Sequence, residues 1–593
     1  MDKKFLAFLL ILTVFTSSQA FAYEYNLNKV TVRIHPNEEL LSVVYYLAFG
    51  WDEFVINRGD YLREVDSYFG KLKDHEAVTM MRDYFKDAKT IPERDFKLFT
   101  LDAYLLQFSE PPEMVRIYDD WKDESLDKMV DVLRDFAIES NFMKFFKAHE
   151  SYYEEDLEIY KRALELRNPE EFLESYFNID EIRFEFNFPY LVCIHGHSFR
   201  VDKNNTKILG SGGLIPLVRR TPPRTLWSLK IAKDTMFGLP LNPVYVENEE
   251  FNKLWFLDFI YHELGHDFTI DKLDEYYFRL QEMKYFESII EEDMPYLATY
   301  DIHFWGYWGM IYEGFADGFS YFALRDINPA FAEWNKEMQK AWGEFWQDDM
   351  VELYEKYADM SFKENRTLDE YVPQMMKELI TRIPEDKAEE YYQEKVPITP
   401  IRALDKVVKE GEVLIIYGTQ NSDEKGVEYD KATAELVKDY LTQFYSQWPG
   451  EIKIEVKMDI NVTDEELKKN LILVGGPVSN KIVQKIQDEF PFKFTYLNGT
   501  WVLERNQGFN TTVKAFLFTN SSIEEIDFSK YRIYSSPKTS ILVTIRNPFM
   551  EDNYIIWIAG VNRYSTRIYR NPTYYFTSYE VYDGEKIEDG FYS

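Results

Sequence analysis

His262-Glu263-Leu264-Gly265-His266 sets two imidazoles four residues apart with a carboxylate between them. On a helix, positions i and i+4 share a face, so both rings can reach one metal ion. Glu263 then falls beside that ion, where a base for a bound water is needed. Catalytic zinc takes three protein ligands and keeps a fourth position open. Glu313, in Tyr312-Glu313-Gly314-Phe315-Ala316-Asp317, is the candidate third ligand. Asp317 lies four residues on, hence on the same helical face. One carboxylate would bind the ion and the other would hold a ligating His by its remaining ring N–H. With only 8 His in 593 residues, composition alone rarely produces this arrangement.

The elements that must position these groups are legible around them. Asn248 is suited to cap a helix, Glu249 and Glu250 to its first turn, and Phe251 to Tyr261 is densely apolar. This describes a helix buried on most sides and running into the motif, where two His and a Glu require partners. Glu313 and Asp317 interrupt a second apolar run, Trp308 to Leu324. Other carboxylates after the motif (Glu275, Glu282, Glu287, Glu291, Glu292 and Asp293) fall largely in charged, solvated stretches. A donor for a developing oxyanion is expected nearby. His303 is the choice, with Tyr300, Tyr307 and Tyr312 also close in sequence.

The paired motifs resemble those of the gluzincin metallopeptidases, HExxH on one helix and Glu-x-x-x-Asp on a later one. The resemblance covers about 75 residues, 251–325. It implies a Zn2+ cofactor held by His262, His266 and Glu313, with Glu263 as general base and Asp317 behind the ligands. It also implies an α+β zincin-like, mainly helical catalytic domain, a secreted peptidase and a peptide or protein substrate. Two features depart from the compact members: 46 residues separate His266 from Glu313, and no oxyanion donor stands out. The N-terminal pattern also resembles an uncharacterised exported zincin-like family. Two alternatives remain open. One is a zincin-like surface or binding protein that keeps its metal without proteolysis; the other is a zinc amidase acting on a cell-wall cross-link.

Other nucleophiles are poorly represented. The chain has no GxSxG elbow, and Cys193, its single cysteine, sits in the apolar strand-like run Leu191-Val192-Cys193-Ile194. His195 and His197 alternate out of that run onto one face, which fits a strand end or turn better than a second metal site.

Residues 1–22 have the charged start, apolar middle and Ala20-Phe21-Ala22 end of a secretory signal peptide, giving a secreted or cell-surface location. No later stretch is apolar and long enough to span a bilayer. The net charge of −35 becomes −36 once Asp2, Lys3 and Lys4 are removed. Such a charge disfavours nucleic acid and anionic membrane as partners. One cysteine means no internal disulfide, so stability must come from the core, to which 45% hydrophobic and 17% aromatic residues contribute. Asn-x-Ser/Thr acceptors occur at Asn204, Asn365, Asn461, Asn498, Asn510 and Asn520. The sequence does not reveal the oligomeric state.

Two units follow the signal segment. Residues 23–395 read as the catalytic region, with a β-hairpin expected over 181–202 (Ile182–Phe186 against Leu191–Val201) ahead of Gly210-Ser211-Gly212-Gly213. This hairpin is the candidate edge for an extended substrate. From 396 to 593 the pattern alternates β and α, predicting an α/β Rossmann-like domain with a parallel sheet. The glycine turn Gly475-Gly476-Pro477 lacks GxGxxG and a Walker lysine. This region resembles α/β modules of surface-layer and other exported archaeal proteins, which implies accessory binding, docking or assembly at a surface or cell wall.

Overall fold

The computed structural model describes residues 23–593 apart from 53, 57, 90, 119–120, 175, 178–181, 195, 204–205, 214–243, 245–247, 302–307, 447 and 574. The signal-like segment 1–22, His195, His303 and Tyr307 therefore lie outside the described residues, as does the side chain of Tyr300.

The N-terminal region is helical around a five-stranded sheet. Its strands are β1 (Glu24–Leu27), β2 (Val30–Ile34), β3 (Ile182–Phe188), β4 (His197–Lys203) and β5 (Thr206–Gly212), in the order β1-β2-β3-β5-β4. Helices α1 (Pro36–Phe49), α2 (Ile91–Leu105) and α3 (Glu150–Leu166) belong to this part. The candidate site draws on α4 (Glu249–Glu275), α5 (Lys284–Asp293), α6 (Gly309–Leu324), α7 (Pro329–Ala341) and α8 (Gln347–Glu364).

The hairpin expected over 181–202 does not form. β3 pairs in parallel with β5, and β4 pairs antiparallel with β5, so the glycine-rich segment is itself a strand lying between the two. Leu191 to Cys193 turns away instead. Val192 bridges Val55, and the Cys193 N–H donates to the Phe54 carbonyl at 2.8 Å. Glycine allows β5 its central place: a Cβ at Gly210 would stand 1.8 Å from the Glu185 carbonyl oxygen. β4 is left as the sheet edge, running along α4.

The C-terminal region begins with α9 (Pro400–Glu410), β6 (Glu412–Tyr417), α10 (Glu424–Tyr445), β7 (Lys453–Met458) and β8 (Leu471–Val474). A hairpin of β9 (Phe492–Leu497) and β10 (Thr500–Arg505) forms a three-stranded sheet with β13 (Ile533–Tyr534). The remaining strands are β11 (Lys514–Phe518), β12 (Ile523–Ile526), β14 (Ser540–Asn547), β15 (Met550–Gly560), β16 (Tyr579–Tyr582) and β17 (Ile587–Phe591). Nine strands align as β12-β11-β17-β16-β14-β15-β8-β6-β7. Only β15, β8, β6 and β7 pair in parallel, and the other five add antiparallel. The crevice between the ends of β6 and β8 is closed by the chain itself, since the Asn480 amide donates to the carbonyls of Ile416 and Val474, both at 3.2 Å.

The two regions share one buried apolar cluster. Trp334 of α7 packs edge-on against Phe518 and donates to Asp589 at 3.0 Å, while Trp342 stacks on Phe576. Lys514 of β11 reaches Glu337 of α7 at 2.6 Å.

Candidate metal centre

The helix carrying the motif is fastened at its start. The Asn248 side chain accepts from the Phe251 N–H at 2.9 Å, capping α4 as its sequence predicts. Its amide also donates to the Thr519 carbonyl at 2.7 Å, in the β11–β12 turn. The 27 residues of α4 then bring His262 and His266 to one face.

The second ligand helix is capped from outside. α6 starts after Trp308, which sits at φ 86° and offers no acceptor of its own. Glu287 of α5 supplies one, accepting from the Trp308 N–H at 2.8 Å. Its carboxylate is fully buried. Burial pushes its pKa up to about 7, against the pull of the Trp308, Ile311 and Met310 amides. Glu287 lies in a charged stretch of sequence, yet its side chain faces the start of α6 while Ser288 and Glu292 on the same helix are exposed.

The two helices cross in contact. A Cβ at Gly265 would lie 2.8 Å from the Ala316 Cα, so only glycine permits this approach. On the far side, a Cβ at Gly314 would meet the Trp346 Nε1 at 2.4 Å. Small residues on both sides of α6 thus let Glu313 reach the imidazoles.

Ring nitrogens and carboxylate form a tight triangle. His262 Nε2 lies 3.1 Å from His266 Nε2 and 3.1 Å from Glu313 Oε2, and His266 Nε2 lies 3.5 Å from the same oxygen. A tetrahedral zinc with ligand bonds of about 2.0–2.1 Å separates its donors by about 3.3 Å. The observed edges straddle that value, so the donor set fits zinc. Asp317 Oδ1 is 2.7 Å from His262 Nδ1, which fixes the ring with Nε2 facing the triangle.

Electrostatics follow from this packing. Burial alone would lower the His262 pKa, but Asp317 and then Glu313 outweigh it and hold the ring well above its ordinary value. Burial would raise Glu313, yet His266 and His262 hold it well below the usual carboxylate range. The Glu313 side chain is 43% exposed, so the triangle opens to solvent on that side. Glu263 is buried, under the entry to β4: a Cβ at Gly196 would be 2.8 Å from its Oε1.

Several polar neighbours escaped the sequence reading. Asp258, one turn before His262, is buried and accepts from Ser320 and, at 2.9 Å, from Asn335 of α7. Burial pushes its pKa up to about 7. Glu344, buried near Asp317 and Glu313, is raised by burial and then by Asp317, and it accepts from Gln347. A polar residue in an apolar run four places before His262 was the available signal for Asp258. Glu344 lies too far along the chain to give one.

Other candidates fall elsewhere. Tyr312 is on α6, but its hydroxyl donates to Asp274 at 2.6 Å. His197 is buried with its Nε2 3.1 Å from Asp102 of α2. Among the described residues it joins no group of metal-type ligands, whereas His262, His266 and Glu313 form one. Cys193 is buried, as expected of a packing residue.

Comparison with known proteins gives a match at the other end of the chain. Residues 405–568 match the family described as S-layer like family, outer domain. No curated protein and no solved structure matches the chain. No zincin or peptidase family matches either, and the resemblance to gluzincins is corrected accordingly. Two five- and six-residue motifs at a helix crossing define a ligand set, which unrelated chains can share; the surface-layer match extends over residues 405–568, from α9 through β15, without β16 and β17. The secreted-peptidase reading and its peptide substrate fall with that resemblance. The match instead points to a cell-surface or extracellular protein with contacts at a surface. Among the described residues, no helix is long and apolar enough to cross a membrane.

Proposed function

We propose that this chain is an exported protein of a cell-surface layer in which zinc ties two helices together without proteolysis. The carrying observation is the surface-layer match over residues 405–568. In this reading the N-terminal region is α+β and zincin-like, the C-terminal region is Rossmann-like, and the latter provides surface or cell-wall contacts. Residues 1–22 would direct export.

When bound, zinc would supply a cross-link between α4 and α6 whose binding free energy adds to folding. His262 and His266 would present neutral Nε2 lone pairs and Glu313 a carboxylate oxygen. Asp317 keeps the proton of His262 on Nδ1, and the Gly265–Ala316 contact holds the helices at ligand distance. Support comes from the donor triangle and from caps at both helix starts, which make the site a rigid joint.

The test combines elemental analysis with a peptide library. Wild-type protein and Glu263→Gln should each carry one zinc per chain and release no new peptide termini. Cleavage by the wild type that Glu263→Gln abolishes would overturn the non-proteolytic reading.

A further inference from the structure

β4, the free edge of the five-stranded sheet, starts at a cluster of buried ionisable groups. Its first residue, His197, lies opposite Gly212 of β5. The imidazole Nε2 is 3.1 Å from Asp102 Oδ2 of α2, and the ring meets Phe99 edge-on. A Cβ at Gly212 would stand 2.6 Å from the His197 Cε1, so the ring lies directly against the end of β5. One residue on, the Gly213 N–H donates to Glu38 Oε1 of α1 at 3.2 Å. Two carboxyl groups from two helices thus hold both strands where the pair opens. The chain entering β4 also rests on α4, since a Cβ at Gly196 would collide with the Phe259 ring.

These groups do not balance one another's charge. Glu38 and Asp102 are fully buried, and Asp102 is the charge that acts most strongly on Glu38. Glu38 Oε2, Asp102 Oδ1 and His197 Nδ1 have no hydrogen-bond partner among the described residues. Their charged neighbours are already engaged. Arg33 of β2 pairs with Glu24, Glu110 and Glu185. Glu39 accepts from the Tyr61 hydroxyl and from the Tyr190 and Leu191 amides. His35 accepts from the Asn37 N–H, and burial keeps it well below its ordinary pKa. One imidazolium could offset only one of the two carboxylates, and Glu38, Asp102 and His197 do not converge as metal ligands. Two ionised carboxylates sealed from water repel each other, and a shared proton relieves that repulsion. Burial and then Asp102 raise the Glu38 carboxyl well above the usual carboxylate range, against the pull of Gly213 and Arg33. Burial also raises Asp102, against His197.

We propose that Glu38, Asp102 and His197 form a proton-operated clasp at the open end of the β4–β5 pair, closed while the two carboxyl groups share a proton and loosened when both ionise. An unfolded chain releases both carboxyl protons by about pH 6, whereas the closed clasp keeps one, so rising pH favours opening. On opening, the proton goes to water, the start of the sheet edge is freed, and its entry lifts from Phe259 and Glu263 of α4. No metal takes part, so the clasp stands or falls apart from the zinc joint.

The experiment is hydrogen exchange of the full-length protein between pH 5 and pH 8, corrected for the intrinsic pH dependence of amide exchange. Peptides from β4 and β5 are compared with those from β2 and β3 of the same sheet. In the wild type, β4 and β5 should lose on the order of tenfold more protection than β2 and β3 as pH rises. Glu38→Gln keeps an acceptor for the Gly213 N–H and removes one of the two charges, so this extra loss should disappear. Asp102→Asn should remove it as well, which keeps the test sound if one variant folds poorly. Equal loss across all four strands in the wild type, constant protection of β4 and β5, or an extra loss that persists in the variants would overturn the proposal.

Discussion

At the residue scale, the triangle of His262, His266 and Glu313 makes distinct demands on each member. Glu313→Gln removes a charged ligand, whereas Asp317→Asn leaves all three ligands and weakens only the hold on His262. Zinc affinity should therefore fall by roughly 10–100-fold for Asp317→Asn and further for Glu313→Gln, by competition titration against a chelator. Proton competition adds a second expectation. His262 in the metal-free protein is held well above its ordinary pKa, with Asp317 and Glu313 overriding burial. Zinc must displace that proton, so affinity should drop by up to about tenfold per unit as pH falls from 8 to 6. A flat profile would mean that His262 does not bind the ion.

At the element scale, the crossing of α4 and α6 depends on the missing side chain at Gly265. Gly265→Val should push the helices apart, lower stability by about 1–3 kcal/mol and abolish zinc uptake together. Loss of zinc with unchanged stability would show that the crossing is less crowded than described. Asn248→Ala should cost about 0.5–2 kcal/mol as a lost N-cap, and should also loosen the β11–β12 turn. Protection of the Thr519–Ser522 amides in hydrogen exchange measures this second effect.

Local chemistry explains what sequence could and could not disclose of these elements. The N-cap, acidic first turn and apolar lead-in of α4 are adjacent along the chain, and so are Glu313 and Asp317. Glu287 is different. Its partner is the start of α6, 21 residues on, and charged neighbours such as Glu291 disguise its burial. The 181–202 hairpin failed for a related reason. Alternation marks strands but not partners, and glycines such as Gly210, which admit β5 against Glu185, carry no strand signal of their own. Nothing in HExxH says whether a metal is catalytic or structural; the informative match lay about 140 residues further on.

At the scale of the whole molecule, a strongly acidic chain keeps several carboxyls out of water. Burial holds Glu39 and Glu287 up at about 7, and Asp430 at about 6. Below about pH 3 these groups are protonated in folded and unfolded chains alike, so they cost nothing. As pH rises to about 7 the unfolded chain ionises while the folded one resists, and stability falls through that window. Groups held low, such as Asp348 beside Lys340 and Lys336, act oppositely but at pH below about 4. The urea midpoint should therefore decline between pH 5 and pH 7, and a steady rise would contradict the assigned burial.

The surface-layer-like region and the zinc joint meet through Asn248, Trp334 and Lys514, so tightening one should tighten the other. Calorimetric unfolding of the full chain, with zinc and after chelation, tests this most directly beside Glu313→Gln. The account predicts a single transition several degrees higher with zinc, and no zinc response in the variant. An identical midpoint with and without zinc in the wild type would contradict a structural metal centre.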